Sequence, residues 1–262
     1  MRKKAYTDDR RSAFQIARSF LNPALRSEMF QKILTRLREG NTTNARLASV
    51  AWCREVAKSV ENFCNALNPD LWHESLAVSD HIRTDANAKL NTLDLDLGGP
   101  GNYPLLYFFV RHRRPKVVLE TGVAAGFSTA AILTAIKANG VGRLYSSEFP
   151  YFRIANPEKY VGYIVDDDLK SNWTLLLDGD RRNLPKILAA VDHVDLLHYD
   201  SDKSYSGRRM ALTLISPHLS KGAPVIMDDL QDNLFFRDHV GRHGIIPSVF
   251  EFEEKYVGLY YA

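Results

Sequence analysis

Short apolar runs and helix-like segments alternate along the chain from Lys116 onwards, and this alternation restricts the possible folds more than any other feature. Seven runs have the length and β-branched content of strands, at 116–120, 143–149, 173–177, 194–199, 223–227, 248–253 and 256–262. Between them lie helix-like segments, at 128–139, 183–190 and 205–219. Parallel neighbouring strands need a crossover connection, which a helix supplies. The alternation therefore predicts an α/β fold with a mostly parallel seven-stranded sheet that ends in an antiparallel hairpin.

The first third of the chain has a different character. Apolar residues over 8–67 recur at helical intervals and do not alternate as in a strand. Turn-forming pairs divide this stretch into several helices, at 22–23, 40–41 and 68–69. A glycine-rich junction at 97–101 follows. We therefore predict a helical extension over 1–97, serving as a cap, a lid or an oligomerisation surface, and an α/β domain over 98–262.

Charge and cysteine content restrict the partners and the compartment. The formal net charge is +3, and the basic residues do not form the concentrated stripe that is typical of nucleic-acid binding. Cys53 and Cys64 are the two cysteines, and their spacing fits neither a disulfide framework nor a metal site, so we predict buried thiols in a reducing compartment. The N-terminus lacks the apolar run of a signal peptide, and no stretch has membrane-spanning length. We expect a cytoplasmic protein with no nucleic-acid or membrane partner.

A glycine-containing loop follows the first strand and reads Glu120-Thr-Gly122-Val-Ala-Ala-Gly126-Phe-Ser128. In open parallel sheets, ligands bind where the strands end, so this loop is the first candidate site. Gly122 permits a tight turn, and Gly126 lets the start of the next helix approach a ligand. A dinucleotide site would prefer G-x-G-x-x-G, whereas this loop has an acid followed by G-x-x-x-G. The carboxylate of Glu120 suits a ligand that carries an amino group in place of a phosphate.

The segment VVLETGVAAGFST resembles the first motif of class I S-adenosylmethionine-dependent methyltransferases. The resemblance covers about 98–262 and implies a Rossmann-like methyltransferase fold with S-adenosylmethionine as the cofactor. It also implies roles for acids at later strand ends: Glu148 would bind the ribose hydroxyls and Asp180 the adenine. The implied cofactor-binding residues are Glu120, Gly122, Gly126, Ser128, Glu148, Asp180 and Asp200.

Three further carboxylates, Asp200, Asp228 and Asp229, follow the fourth and fifth strands. Clustered hard carboxylates are what an octahedral magnesium ion needs. The pattern resembles the divalent-metal O-methyltransferases and a bacterial subgroup with an Asp-Asp pair after strand five. This resemblance implies that the three aspartates hold Mg²⁺ or another divalent cation, and that Asp200 and Lys203 are catalytic, with Lys203 accepting the proton. The implied acceptor is a small-molecule hydroxyl of a sugar, phenol or natural-product intermediate.

Several alternatives stay open at the level of sequence. His239 and His243 could serve as the base if Lys203 does not, whereas His198 lies within a strand and is predicted to be a core imidazole. An NAD-type Rossmann oxidoreductase and a non-catalytic methyltransferase-like scaffold are the competing functions. The N-terminal helices could also form a homo-oligomer.

Overall fold

The computed structural model describes Phe30 and residues 43–93, 95–149, 154 and 156–262. Phe30 is helical and exposed. Apart from it, the helices predicted before Gly40, with their breaks at 22–23 and 40–41, lie outside the described residues. The break predicted at 68–69 is present, because one helix ends at Leu67 and the next begins at Pro69.

The described residues form eight α-helices and eight strands. The helices are α1 Thr43–Val56, α2 Val60–Leu67, α3 Pro69–Leu90, α4 Tyr103–Arg113, α5 Phe127–Asn139, α6 Asp180–Ala189, α7 Tyr205–Ile215 and α8 Phe235–Arg242. The strands are β1 Ala57–Lys58, β2 Val117–Thr121, β3 Arg143–Ser147, β4 Trp173–Leu176, β5 Leu196–Tyr199, β6 Pro224–Met227, β7 Ser248–Phe252 and β8 Lys255–Tyr261. Each of the seven predicted strands is present, with ends that shift by one or two residues.

All strands join one sheet in the order β1-β7-β8-β6-β5-β2-β3-β4. Only β8 runs antiparallel to its neighbours, β6 and β7. The predicted α/β class, the mostly parallel sheet and the C-terminal hairpin are therefore confirmed. The predicted count of seven strands was one too low, because Ala57 and Lys58 pair in parallel with β7. Two residues are too few to show the alternation that identifies a strand in a sequence.

Helices cover both faces of the sheet, because adjacent residues of a strand point in opposite directions. Val118 packs into one buried cluster with residues of α3, α4 and α5, whereas Leu119 packs into a second cluster with residues of α6 and α7. The described part of the N-terminal extension contributes to both: Trp72 lies in the first cluster and Cys53 in the second. The helices from Thr43 onwards thus share the core of the α/β domain, and the predicted boundary at residue 97 and the homo-oligomer stay predictions.

The two cysteines are free and buried, as predicted. Burial raises the pKa of the Cys53 thiol to about 11 and that of Cys64 to about 12, so both stay protonated at neutral pH. None of the helices in the described ranges combines the length and the apolar character that crossing a bilayer requires. The cytoplasmic location stays a prediction.

Candidate functional site

A cavity of about 510 Å³ opens at the carboxyl ends of β2, β3 and β5. We call one part of its lining the glycine wall, formed by 122–128, Glu148 and Asp180, and the adjoining part the lysine wall, formed by 200–203 and Lys255. The cavity brings together seven of the predicted site residues: Gly122, Gly126, Ser128, Glu148, Asp180, Asp200 and Lys203. Three other predicted residues are not among the described residues that line it: Glu120, Asp228 and Asp229.

The two glycines of the loop have a backbone conformation and close neighbours that disfavour any residue with a side chain. Gly122 has φ +85°, and a Cβ there would lie 2.5 Å from the carbonyl oxygen of Asp200, so the glycine wall directly abuts the lysine wall. Gly126 has φ +105°. A Cβ there would lie 2.9 Å from an atom of Gly162 and 2.9 Å from an atom of Val165. The sequence predicted a close approach at Gly126. Its close neighbour is another part of the chain, however, and not the cofactor side that we expected.

Glu148 supports the loop from the end of β3. Its Oε2 accepts hydrogen bonds from the backbone N–H groups of Val123, at 2.6 Å, and Ala124, at 2.8 Å. Ala124 has φ +49°, a conformation that is uncommon for a residue with a side chain and needs such support. Glu148 thus lines the cavity and fixes the curvature of the glycine wall, while its predicted contact with a ribose stays a prediction.

Asp180, the first residue of α6, is fixed by two serine hydroxyls. Its Oδ1 accepts a hydrogen bond from Ser147 Oγ at 2.6 Å, and its Oδ2 accepts one from Ser201 Oγ. Asn183 donates to Ser147 Oγ and to the carbonyl of Leu176, which ties the arrangement to β3 and β4. The side chain of Asp180 is therefore oriented before any ligand binds.

Glu120 lies beneath the loop and not in the cavity. It is fully buried, and its carboxylate accepts hydrogen bonds from Ser128 Oγ at 2.7 Å, Thr129 Oγ1 at 2.8 Å and Ser146 Oγ at 2.7 Å. Two of these donors belong to the first turn of α5. Glu120 therefore fixes the start of the helix that follows the loop, and Ser128 directs its hydroxyl to Glu120 although the residue borders the cavity.

His198 connects Glu120 to Asp228 across three adjacent strands. Its Nδ1 lies 3.6 Å from Glu120 Oε1 and its Nε2 lies 3.7 Å from Asp228 Oδ2. Burial alone would lower the pKa of this imidazole, but the two carboxylates outweigh burial and raise it to about 10. The prediction of a core imidazole holds for its burial, and the structure adds that the ring lies between two acids.

Asp229 contacts the charged groups of the lysine wall and fixes their position. Lys203 Nζ donates to Asp229 Oδ2 and lies 3.5 Å from Asp200 Oδ1. Gln231 Nε2 donates to Asp229 Oδ1 at 2.9 Å, and the buried Arg208 donates to the Asp229 carbonyl at 2.8 Å. Asp229 itself has φ +55°, a strained conformation for a residue with a side chain. Lys203 and Gln231 thus hold the carboxylate of Asp229, and Arg208 holds its backbone.

This arrangement sets the protonation of the lysine wall. Burial alone would lower the pKa of Lys203, but Asp200 and Asp229 outweigh it and raise that pKa above its ordinary value. Burial would likewise raise the pKa of Asp229, but Lys203 outweighs it and lowers that pKa. Asp200 differs, because burial and the nearby charge of Asp228 raise its pKa to about 7. Lys203 is therefore a cation here, and Asp200 is the group able to exchange a proton near neutral pH.

The predicted divalent-metal site is not formed by this arrangement. Within the described ranges, no three His, Cys, Asp or Glu side chains are placed so that they could hold a metal ion. The oxygens of Asp229 are engaged by Lys203 and Gln231, and Asp228 faces His198. A Cβ at Gly101 would overlap the Asp228 carboxylate, so the segment that carries Gly101 covers it. Cationic side chains thus take the positions that we expected a metal to fill.

The geometry can be compared with proteins of known family. A family model described as a methyltransferase domain matches residues 119–230, from within β2 to just after β6. Residues 119–230 therefore resemble a methyltransferase domain. Among curated proteins, a sequence comparison finds no match.

Solved methyltransferase structures share the fold of this domain at low sequence identity. A methyltransferase from Geobacter sulfurreducens is 16% identical, with a TM-score of 0.52 over 69% of this chain and 87% of that one. The O-methyltransferase TomG from Streptomyces achromogenes, involved in tomaymycin synthesis and solved with S-adenosylmethionine, is 17% identical, with a TM-score of 0.52 over 69% and 89%. An O-methyltransferase from Bacillus cereus, solved with S-adenosylhomocysteine, is 14% identical, with a TM-score of 0.51 over 80% and 100%. The predicted resemblance to class I S-adenosylmethionine-dependent methyltransferases and the Rossmann-like fold are confirmed.

The two histidines considered as alternative bases lie away from the cavity of the methyltransferase domain. The segment after β6 forms α8, and its apolar side packs into the core. His239 stacks on Phe235 at 5.6 Å and contacts Tyr260, and burial lowers its pKa to about 4. His243 lies 4.8 Å from the His239 ring. Neither belongs to the described residues that line the cavity, so neither can act there as a base.

Sequence reasoning missed several residues that complete the methyltransferase site. Ser201 carried a weak signal, because it follows Asp200 at a strand end. Lys255 and Gln231 carried none, since their relation to the site depends on how the C-terminal hairpin packs. Arg208 reads as an ordinary helix residue, yet it is fully buried and holds the turn after β6.

Proposed function

We propose that this methyltransferase transfers the methyl group of S-adenosylmethionine to the oxygen of a small-molecule hydroxyl. The observation that carries the proposal is the contact between the two walls of the cavity. Gly122 of the glycine wall approaches the Asp200 backbone so closely that a Cβ would lie 2.5 Å from its carbonyl oxygen. A cofactor held by the glycine wall would thus lie beside Asp200 and Lys203.

The glycine wall offers the groups that such a cofactor needs. Glu148 and Asp180 supply acceptors for ribose hydroxyls and for the adenine amino group, and Phe127 and Ser128, the first residues of the helix after Gly126, border the cavity. Glu120 contributes indirectly, because it fixes the first turn of α5 through Ser128 and Thr129. S-adenosylmethionine, when bound, supplies an electrophilic methyl group on a sulfonium.

The lysine wall supplies the proton acceptor and the stabilising charge. As the acceptor oxygen forms its bond to the methyl carbon, the carbon–sulfur bond breaks and its electron pair moves to sulfur. Asp200 takes the hydroxyl proton, and the Lys203 ammonium stabilises the negative charge that develops on the oxygen. This assignment keeps both predicted catalytic residues but makes Asp200 the proton acceptor in place of Lys203, since Asp200 and Asp229 keep Lys203 protonated.

We route no step through a divalent cation. Of the carboxylates that were expected to bind one, Asp229 accepts hydrogen bonds from Lys203 and Gln231, and Asp228 lies 3.7 Å from His198 Nε2. The proposed route is therefore proton transfer to Asp200 beside a fixed ammonium.

Titration calorimetry with S-adenosylhomocysteine and with NADH tests the cofactor. We expect the adenosyl ligand to bind and NADH not to bind. Asp180→Ala should weaken binding by at least about tenfold, because a buried acceptor for the cofactor is lost. Asp178→Ala is the matched control, since Asp178 lies in the same loop but pairs with Lys186 at the surface. Binding of NADH alone would favour the oxidoreductase alternative and contradict the proposal.

Transfer itself is tested with methyl-labelled S-adenosylmethionine and a panel of hydroxylated, aminated and thiolated small molecules. Label should appear in ether products of hydroxyl acceptors. Cofactor binding with label only on nitrogen or sulfur would refute the oxygen assignment. Binding without transfer to any member of the panel would support the scaffold alternative.

A further inference from the structure

We propose that helix α1 of the N-terminal extension positions Lys203 for methyl transfer, with Ser49 and Asn233 as its positioning residues. Neither of the two is among the described residues that line the cavity. This inference rests on the proposed methyl transfer, and it gives the helical extension a part in that reaction. It follows from the hydrogen bonds of residues 229–233, which we call the support turn.

The support turn holds Lys203 at two separate points. At one end of the turn, Asp229 binds the Lys203 ammonium. At the other end, Asn233 Nδ2 donates to the backbone carbonyl of Lys203 at 2.6 Å. Asn233 Oδ1 accepts a hydrogen bond from the Phe235 N–H at 3.0 Å, which fixes the orientation of the amide. Asp200, 3.5 Å from the ammonium, lies on the same wall as Lys203. A shift of the support turn would therefore move both the backbone and the ammonium of Lys203.

Helix α1 holds the support turn through a single buried hydroxyl. Ser49 is fully buried, and its Oγ lies 2.7 Å from the carbonyl oxygen of Leu230 and 3.0 Å from that of Asn233. A hydroxyl has one proton to donate, so the two carbonyls share it. Because these carbonyls lie three residues apart, the Ser49 hydroxyl spans most of the support turn.

Helix α1 is itself held against the α/β domain. The Trp52 ring packs against Phe236 of α8 with ring centroids 6.2 Å apart, and Cys53 lies in the same buried cluster as Phe236. Strand β1 follows α1 directly and pairs with β7. The Ser49 hydroxyl is therefore presented from a fixed helix.

The glycine wall has supports of its own at the end of β3. Glu148 accepts hydrogen bonds from the backbone of Val123 and Ala124, and Ser147 donates to Asp180. Loss of the Ser49 hydroxyl should thus disturb Lys203 and leave the residues proposed to bind the cofactor in place. A catalytic group that is misplaced by about 1 Å can cost about a hundredfold in rate. Ser49 should therefore affect turnover and not cofactor affinity.

Hydrogen exchange followed by mass spectrometry tests the connection between α1 and Lys203 without any acceptor. The full-length protein is used alone, so the result does not depend on the proposed function. Ser49→Ala should speed amide exchange in 200–207 and in 229–233 by at least about threefold. Ser75→Ala is the matched control, because Ser75 of α3 is equally buried and donates to the Leu71 carbonyl within its own helix at 2.7 Å. Unchanged exchange at 200–207 in Ser49→Ala, or an equal increase in Ser75→Ala, overturns the inference.

Turnover is the second test, measured with methyl-labelled S-adenosylmethionine and the hydroxyl acceptor that the labelling panel identifies. Ser49→Ala should lower kcat by about tenfold and leave the Kd for S-adenosylhomocysteine unchanged, because only the lysine wall is displaced. Ser75→Ala should change neither quantity. A purely structural role of Ser49 would lower the midpoint of urea denaturation without this loss of kcat, and that result also overturns the inference.

Asn233→Asp tests the second positioning residue. The aspartate keeps an acceptor for the Phe235 N–H but loses the donor to the Lys203 carbonyl, so kcat should again fall by about tenfold. Since Ser49 and Asn233 act through one turn, the double variant should also lose about tenfold and not about a hundredfold. Independent, multiplied losses contradict the shared path. If S-adenosylhomocysteine does not bind or no hydroxyl is labelled, the proposed function fails, and the exchange measurement judges the link between α1 and Lys203 by itself.

Discussion

The two walls of the cavity are fixed by different kinds of interaction. On the glycine wall, Glu148 and Asp180 accept hydrogen bonds from backbone N–H groups and serine hydroxyls, which are neutral donors. On the lysine wall, Asp229 and Asp200 face ammonium groups, and Arg208 holds the turn beneath them. Losing a neutral donor forfeits one hydrogen bond, but losing a charged partner leaves a buried charge uncompensated. Substitutions at the lysine wall and its supporting residues should therefore lower the stability of the protein more than substitutions at the glycine wall.

His198 joins the supports of the two walls, and its removal should have the largest effect on stability. His198→Gln leaves Glu120 and Asp228 as buried carboxylates without their shared cation. The free energy of unfolding should fall by about 3–5 kcal/mol, measured by urea denaturation. His193→Gln is the control, because His193 forms its ion pair at the surface and the change should cost less than about 1 kcal/mol. Equal losses in the two variants would show that burial of the charge is unimportant.

The pH dependence of this loss has a definite sign. The folded-state pKa of His198, about 10, lies above its ordinary value of 6.5. A group whose pKa is raised by folding adds stability that is complete below the unfolded-state pKa and disappears as the pH rises through the folded-state pKa. The stability gap between the wild-type protein and His198→Gln should thus be greatest at or below pH 6.5 and should close towards pH 10. A gap that widens with rising pH would contradict the ion-pair assignment.

Gly122→Ala should disturb the contact between the walls and weaken S-adenosylhomocysteine binding by about a hundredfold. The added Cβ would meet the Asp200 carbonyl oxygen at 2.5 Å, on a backbone with φ +85°. Gly140→Ala separates the two causes, because Gly140 also has positive φ, at +66°, but no atom within 4 Å of the new Cβ. Calorimetry on both variants measures the affinity. If Gly140→Ala weakened binding as much, backbone strain and not the wall contact would be responsible.

Ser201→Ala should show the smaller penalty of losing a neutral donor. Asp180 would keep the hydrogen bond from Ser147 but lose the one from Ser201, and its carboxylate would be less well oriented. We expect about tenfold weaker S-adenosylhomocysteine binding with turnover at saturating cofactor nearly unchanged. Ser220→Ala removes a comparable serine–carboxylate bond, to Asp195, outside the cavity and should leave binding unchanged. A fall in turnover without a change in affinity would place Ser201 in the chemical step.

Chelation should have the smallest effect of all. The carboxylates predicted to hold a metal are engaged by cationic and amide side chains, so a chelator such as EDTA should change turnover by less than about twofold. The measurement is the rate of label transfer before and after dialysis against the chelator. If the chelator abolished activity and added Mg²⁺ restored it, the lysine wall would have to rearrange and release its carboxylates to the metal. The lysine wall would then not be held by ammonium groups alone.

The sequence predicted the sheet better than the side-chain pairings, for physical reasons. Strand periodicity and the positive φ of Gly122 are local properties, so they are legible in a short window of residues. The burial of Glu120 is not local, because its three hydroxyl donors come from α5 and β3. The divalent-metal site stays a prediction for the same reason: strand ends show that Asp228 and Asp229 lie close together, but not that His198 and Lys203 lie beside them.

The two-residue strand β1 has a consequence for how copies of this protein behave towards one another. Ala57 and Lys58 pair with Val249 and Phe250 and so cap part of the outer edge of β7. An open strand edge presents unpaired N–H and C=O groups, which act as a template for another chain. A protein trimmed to 98–262 would expose this edge along with its apolar residues, and its copies would be prone to edge-to-edge aggregation. The helical extension thus protects the domain from self-association through its sheet.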